Sequence, residues 1–224
     1  MREYYTNERI KQVLEMAADE SVNTCLARAD DHIMGVWNEY RGEGGRVRYW
    51  IAQTAPERKP VERNIDEAIA NGASAIYLQG VMVDQHFASG KLEALRPWLE
   101  RIRAAGLPAG MASHRPDVHP VAEHIGLPVD FYMQCFYNLT QRDEAYLAED
   151  RARAVETILS LPKPVIAYKI MAAGRNEPHE AFSYAFANIK PTDAVCVGVF
   201  PKYRPNEVAE DVMLTRRYVA TRRG

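Results

Sequence analysis

Short apolar runs alternate with amphipathic stretches along the whole chain, and a helical stretch comes first. The runs are Val22–Ala27, Val47–Thr54, Ala73–Gln79, Pro108–His114, Phe131–Tyr137, Val165–Met171 and Ala194–Phe200. Ala73–Gln79 is almost wholly apolar, as suits a strand covered on both faces. The first helical stretch has a stripe of Ile10, Val13, Leu14, Ala17 and Ala18 behind a cap at Thr6 or Asn7. Glycines at 42, 44, 45, 72, 106 and 126 stop later helices, and residues 80–90 read as a long loop. Repeated strand–helix units predict a parallel sheet covered by helices.

Seven strands with eight helices predict an α/β, TIM-type (β/α)8 barrel whose first strand is missing, a single domain over 1–224 that is incomplete at its N-terminus. The competing doubly wound sandwich has fewer strands and usually a glycine-rich first loop. No G-x-G-x-x-G occurs here. An open barrel has two free strand edges, which invite pairing with another chain, so a homo-oligomer that closes the gap is expected.

Composition narrows the function. The 224 residues are 47% hydrophobic, enough for a full core. With 28 basic and 30 acidic residues the net charge is −2, which argues against a dedicated nucleic-acid or anionic-membrane surface. No apolar stretch approaches the about 20 residues of a membrane span. Cys25, Cys135 and Cys196 share no metal-ligand spacing and read as reduced thiols inside strands. The polar N-terminus has no signal-peptide pattern. A cytoplasmic protein acting on a small molecule is the expectation.

Barrels of this type carry their chemistry at the C-terminal ends of the strands, and polar residues gather there. They are Arg28, Asp30 and His32; Gln53 and Thr54; Gln79 and Asp84; His114; Gln134, Tyr137 and Asn138; Lys169; and Lys202. Lys169 sits in an apolar run where its ammonium would be desolvated, which suits an imine-forming nucleophile or a general base. An ion pair with Asp30 or Asp84, or an anion anchor, fits the same position. His114 suits general acid–base work, alone or sharing a proton with Asp84. No recognised metal spacing occurs, and no metal is expected. Gly174 and Arg175 after the sixth run, with Lys202 after the seventh, stand in loops that often bind phosphate in barrels.

Taken in order, these segments resemble the aldo-keto reductase superfamily along nearly the whole chain. Val22-Asn23-Thr24, Gln134-Cys135-Phe136-Tyr137-Asn138-Leu139, Val165-Ile166-Ala167-Tyr168 and Pro201-Lys202 are similar to four of its motifs. The resemblance places the absent first strand upstream of Met1. If the chemistry is redox, the resemblance implies a nicotinamide cofactor, NADP(H) being the candidate, held by Gln134, Tyr168 and Lys202 with the Gly174 and Arg175 loop; the sequence otherwise leaves the cofactor unassigned. A bacterial branch of that superfamily is more similar still, sharing Ala27-Arg28-x-Asp30-x-His32, Trp50–Thr54, Ala172–Arg175 and Phe186–Asp193. It brings no assigned reaction with it.

The reductase tetrad of Asp, Tyr, Lys and His is not matched. Its positions read Cys25 or Leu26, a residue near Asp31, Gln53 or Thr54, and Gln79. Reductase chemistry is therefore not carried over intact. The sequence predicts an enzyme for a small polar carbonyl or sugar-like substrate, with Lys169, His114 and Asp84 as catalytic candidates. Arg28, Asp30, His32, Gln53, Gln79, Tyr137 and Asn138 are the substrate-binding candidates. A cofactor-independent lyase or isomerase using Lys169 and His114, and a non-catalytic ligand-binding barrel, are the alternatives.

Overall fold

The computed structural model describes residues 4–137 and 148–221. Seven strands form one all-parallel sheet in chain order: β1 (Thr24–Arg28), β2 (Tyr49–Gln53), β3 (Ala75–Leu78), β4 (Ala109–Ser113), β5 (Phe131–Cys135), β6 (Val165–Tyr168) and β7 (Ala194–Cys196). The helices are α1 (Asn7–Asp19), α2 (Asp31–Gly42), α3 (Val61–Ala70), α4 (Gly80–Ala88), α5 (Arg96–Ala104), α6 (Val118–His124), α7 (Ala148–Ser160), α8 (Pro178–Asn188) and α9 (Glu207–Thr221). The result is a nearly closed TIM-type barrel. Among the described residues, no helix is long and apolar enough to cross a membrane.

Two expectations change. Residues 80–90 are not a plain loop: α4 occupies Gly80–Ala88. Only Gly80, Met82 and Val83 are buried in this short helix, so it lacks a long amphipathic stripe for the sequence pattern to reveal. The described residues thus hold nine helices rather than eight. The sixth strand ends at Tyr168, leaving Lys169 just beyond it with φ of 58°.

Local chemistry sets the helix starts. Thr6 Oγ1 accepts from the Arg9 amide, Asp30 Oδ1 from Ile33, and a Glu177 carboxylate oxygen from Glu180. Buried Asn64 of α3 joins two loops at the C-terminal end of the barrel. Its Nδ2 donates to the Ala29 carbonyl at 2.6 Å and its Oδ1 accepts from the Ala55 amide at 2.7 Å.

Alternation divides the core in two. Outward residues such as Trp50, Ile76, Leu78, Met111 and Tyr132 pack under the helices. Ala75, Tyr77, Ala112, Phe131 and Met133 fill the barrel, with Leu26, Ile51, Ile166 and Tyr168 packed against them. β3, β4 and β5 are buried throughout, whereas every β1 residue is half-buried. The reason is topological: β1 and β7 end the sheet and do not pair with each other.

Aromatic side chains partly cover this open side. The Tyr5 hydroxyl donates to the Val199 carbonyl, and the Tyr4 and Tyr5 rings lie 5.0 and 5.6 Å from Phe200. Helix α1 also packs against α9 across the gap.

Gly110 shows how tightly the interior is filled. It pairs in register with Phe131, and a Cβ there would stand 2.3–2.7 Å from that ring. Gly110→Ala is expected to destabilise the protein by about 1–3 kcal/mol through overpacking, read as a lower urea midpoint. An unchanged midpoint would mean that Phe131 swings away freely.

Candidate functional site

Strand parity decides which side chains reach the mouth. The register Arg28↔Gln53↔Tyr77 runs across β1, β2 and β3, and Cys135↔Tyr168↔Cys196 across β5, β6 and β7. These residues share the inward parity of the interior cluster, and His114 continues the inward row of β4. Tyr77, Cys135 and Cys196 were not among the sequence candidates. Extending the alternation two residues past Ala75 and Met133 would have found the first two.

A histidine–carboxylate pair stands at the mouth. His114 Nδ1 lies 2.8 Å from Asp84 Oδ2, with both side chains about one-fifth exposed. Asp84 comes from α4, the helix that the sequence pattern did not show. It is held from the other side by the Ser113 hydroxyl, which donates to Oδ1 at 2.6 Å. With a proton on Nδ1 directed to Asp84, the free lone pair is on Nε2. No side chain at residue 80 blocks the imidazole, since a Cβ on Gly80 would meet its Cε1 at 3.1 Å.

Tyr168 and Lys169 stand beside this pair. The Tyr168 ring meets His114 edge-on at 6.0 Å, and its hydroxyl donates to the Ser113 carbonyl at 3.1 Å. Burial, reinforced by Cys135, Asp84 and Tyr77, holds the Tyr168 phenol well above its ordinary pKa. Tyr77 is also raised by burial, while the charge of Arg28 opposes the shift. Both phenols therefore remain protonated donors at neutral pH.

Lys169 Nζ lies 5.9 Å from the Tyr168 ring centroid. Its charge also acts on Cys135, whose thiol burial nonetheless pushes up to about 11. Lys169, Ala172 and Ala173 all have left-handed φ values, between 46° and 58°. Such conformations cost a non-glycine residue about 1–2 kcal/mol and tend to collect at functional sites.

Other candidates lie elsewhere. Asp30 caps α2, and His32 on the same helix is exposed, bonded to Asn7 at 2.8 Å. They border an open cleft of about 1040 Å³ beside β1, together with Tyr5, Ile10, Ile33 and Arg58. Gln134 is fully buried and pairs with Ser113 and Ala167, on the outward face that it shares with Tyr132 and Phe136. Its Oε1 has no partner among the described residues. Buried Tyr137 receives a hydrogen bond from Asn176 at 2.8 Å. Asn138 lies outside the described residues.

The five positions that the resemblance suggested for a nicotinamide divide between the two faces of the sheet and the outer loops. Tyr168 faces inward, but Gln134 faces the helices, and Arg175 and Lys202 are exposed. The amides of Gly174, Arg175 and Asn176 all donate to the Met171 carbonyl, so these three donors are engaged within the turn. Among the described residues, no group of three or more His, Cys, Asp or Glu side chains could hold a metal ion.

Behind the wall, His119 is wholly buried. Nε2 is 3.1 Å from the Met133 carbonyl, Nδ1 has no partner among the described residues, and burial lowers its pKa to about 4. A depressed histidine pKa leaves stability untouched above about 6.5. Below that the unfolded chain takes up a proton that the folded state refuses, so stability falls between about pH 6.5 and about 4, by at most about 3 kcal/mol. Urea titrations across this range are expected to show a shallower acid loss for His119→Gln than for the wild type. Parallel losses would contradict the assignment.

No family model matches the chain, and no curated relative does. Solved structures do. A "putative aldo-keto reductase" from Pseudomonas aeruginosa matches with a TM-score of 0.68 at 14% identity, over 96% of this chain and 82% of its own. An uncharacterized protein from B. cereus gives 0.63 at 11%, over 95% and 61% respectively. A Yersinia pestis DHPS gives 0.59 at 10%, over 97% and 89%. At these identities the likeness establishes the fold alone, a TIM-type barrel.

Proposed function

We propose that this chain is a barrel enzyme that moves a proton at the carbon beside the carbonyl of a small polar substrate, without requiring a hydride carrier. The observation that carries the reading is the His114–Asp84 pair at the C-terminal end of β4, 2.8 Å long and next to Tyr168. Asp84 accepts the Nδ1 proton and fixes the ring, so Nε2 is the base that takes the substrate proton. The imidazolium so formed is stabilised by the same carboxylate. The Lys169 ammonium and the Tyr77 hydroxyl supply positive charge and a hydrogen bond for the carbonyl oxygen as it becomes an enolate. The barrel fold of the neighbours and the inward parity of these residues support the reading.

The sequence also suggested imine formation by Lys169. Its position just outside the strand, with charge acting on the Cys135 thiol, favours an electrostatic role. The redox reading takes second place, because Gln134 lies on the outward face of β5.

Deuterium exchange into a panel of small carbonyl compounds, followed by proton NMR, tests the proposal. Enzyme-dependent exchange at the carbon next to the carbonyl is expected. His114→Gln should reduce it by about 10²–10⁴-fold, the usual contribution of a positioned acid–base group. Asp84→Asn should reduce it by about 10–100-fold while circular dichroism is unchanged, as for other partners that orient a histidine. Exchange that survives in His114→Gln would overturn the reading.

A further inference from the structure

Two mouth residues at the ends of different strands already hold a carboxylate, and it is one of the protein's own. Glu57, in the loop between β2 and α3, turns Oε1 to Arg28 Nη2 and Oε2 to Gln79 Nε2, the latter at 3.3 Å. Arg28 ends β1 and Gln79 follows β3, so the two reach the carboxylate from either side of β2. The Glu57 side chain is nearly half exposed, at 46%. An ion pair so exposed is weakly held.

The guanidinium it covers is not fully satisfied. The Arg28 side chain is 40% exposed, but its Nε is shielded from water and has no hydrogen-bond acceptor among the described residues, while Nη2 faces Glu57. Asp30 stands 3.9 Å from Nε, too far for a hydrogen bond. Arg28 also acts on the inward Tyr77 phenol, which places its charge over the barrel interior. A shielded donor without an acceptor is costly, and a planar guanidinium matches a carboxylate through two parallel hydrogen bonds, of which Glu57 supplies one.

We infer that Arg28 and Gln79 form a carboxylate subsite that Glu57 occupies at rest, and that the substrate is a small carboxylic acid with a carbonyl next to the carboxylate. The inference rests on the reading of the mouth given above and adds the substrate class to it. The ligand carboxylate displaces Glu57, whose loop is exposed enough to turn into solvent. Gln79 adjoins Gly80, whose backbone lies against the His114 ring, so the adjacent carbonyl falls on the side of Tyr77 and His114. Only non-covalent exchange of one carboxylate for another is involved. Glu57 thereby acts as a gate against ligands too weakly charged to replace it.

Isothermal titration calorimetry with pyruvate, and with the neutral pyruvamide as control, tests this by binding alone. Glu57→Gln removes the internal competitor and is expected to tighten pyruvate binding about two- to fivefold, the range that an exposed ion pair allows. Arg28→Gln should weaken it at least about tenfold, as loss of a charge-assisted pair does. Arg28→Lys, which keeps the charge without the fork, should fall between them. Pyruvamide should be indifferent to Glu57→Gln. Equal pyruvate affinity in wild type and Glu57→Gln, or no detectable pyruvate binding by a folded Glu57→Gln protein, would overturn the inference. If pyruvate and pyruvamide bind alike while His114→Gln still abolishes exchange, the carboxylate subsite falls and the proton-transfer reading stands.

Discussion

The alternation of side chains along seven parallel strands, locked in register by their ladders, is the constraint on which the rest depends. A shift of one residue in any strand would send its inward set to the helices. Interior packing opposes such shifts. Phe131 fills the space left by Gly110 across the β4–β5 pair, and the Trp50 indole donates to the Ala27 carbonyl across β1–β2. The same parity that places Phe131 and Met133 in the barrel brings Cys135 to the mouth and turns Gln134 away. Core packing and site geometry thus arise from one periodicity.

The mouth is built from unequal halves. The well-supported side, from β3 to β6, carries His114, Tyr168 and Lys169 on buried strands or directly after them, with Asp84 on a short helix packed against β4. The open side, at β1 and β7, is half-exposed. It is covered by Tyr4, Tyr5 and Phe200, and a small apolar cavity of about 170 Å³ remains under Tyr5, Ile10 and Trp37. Arg28 belongs to this less constrained half, consistent with its pairing to an exposed glutamate. In the proposed reading, chemistry that needs fixed geometry falls to the buried half and a subsite that must exchange partners falls to the other.

Much of the fold was legible because a parallel strand covered on both faces leaves a continuous apolar run, as Ala75–Leu78 does. Helix stops at Gly72, Gly106 and Gly126 were equally readable, since all three have positive φ. Helix α4 was not, because nine residues with three buried positions leave no helical stripe. Lys169 seemed to lie within a strand because apolar residues continue through Met171, whereas the backbone turns left-handed at the lysine. At the site, His114 and Asp84 could be named from the sequence as polar residues near a strand end. Their contact depends on a helix that the pattern hid. Gln134 shows the opposite case, where a motif resemblance suggested a ligand contact that strand parity directs elsewhere. Glu57 carried no signal, because its importance lies in two partners from separate strands.

The most direct test of the central claim is the tautomer of His114, read by long-range proton–nitrogen NMR correlation on histidine-labelled protein at a pH where the ring is neutral. If Asp84 prepares His114 as the base, Nδ1 carries the proton and Nε2 shows the shift of a bare ring nitrogen. Asp84→Asn should disturb that pattern while leaving the fold intact. A neutral His114 protonated on Nε2 in the wild type would contradict the account, since the nitrogen assigned to receive the substrate proton would already hold one.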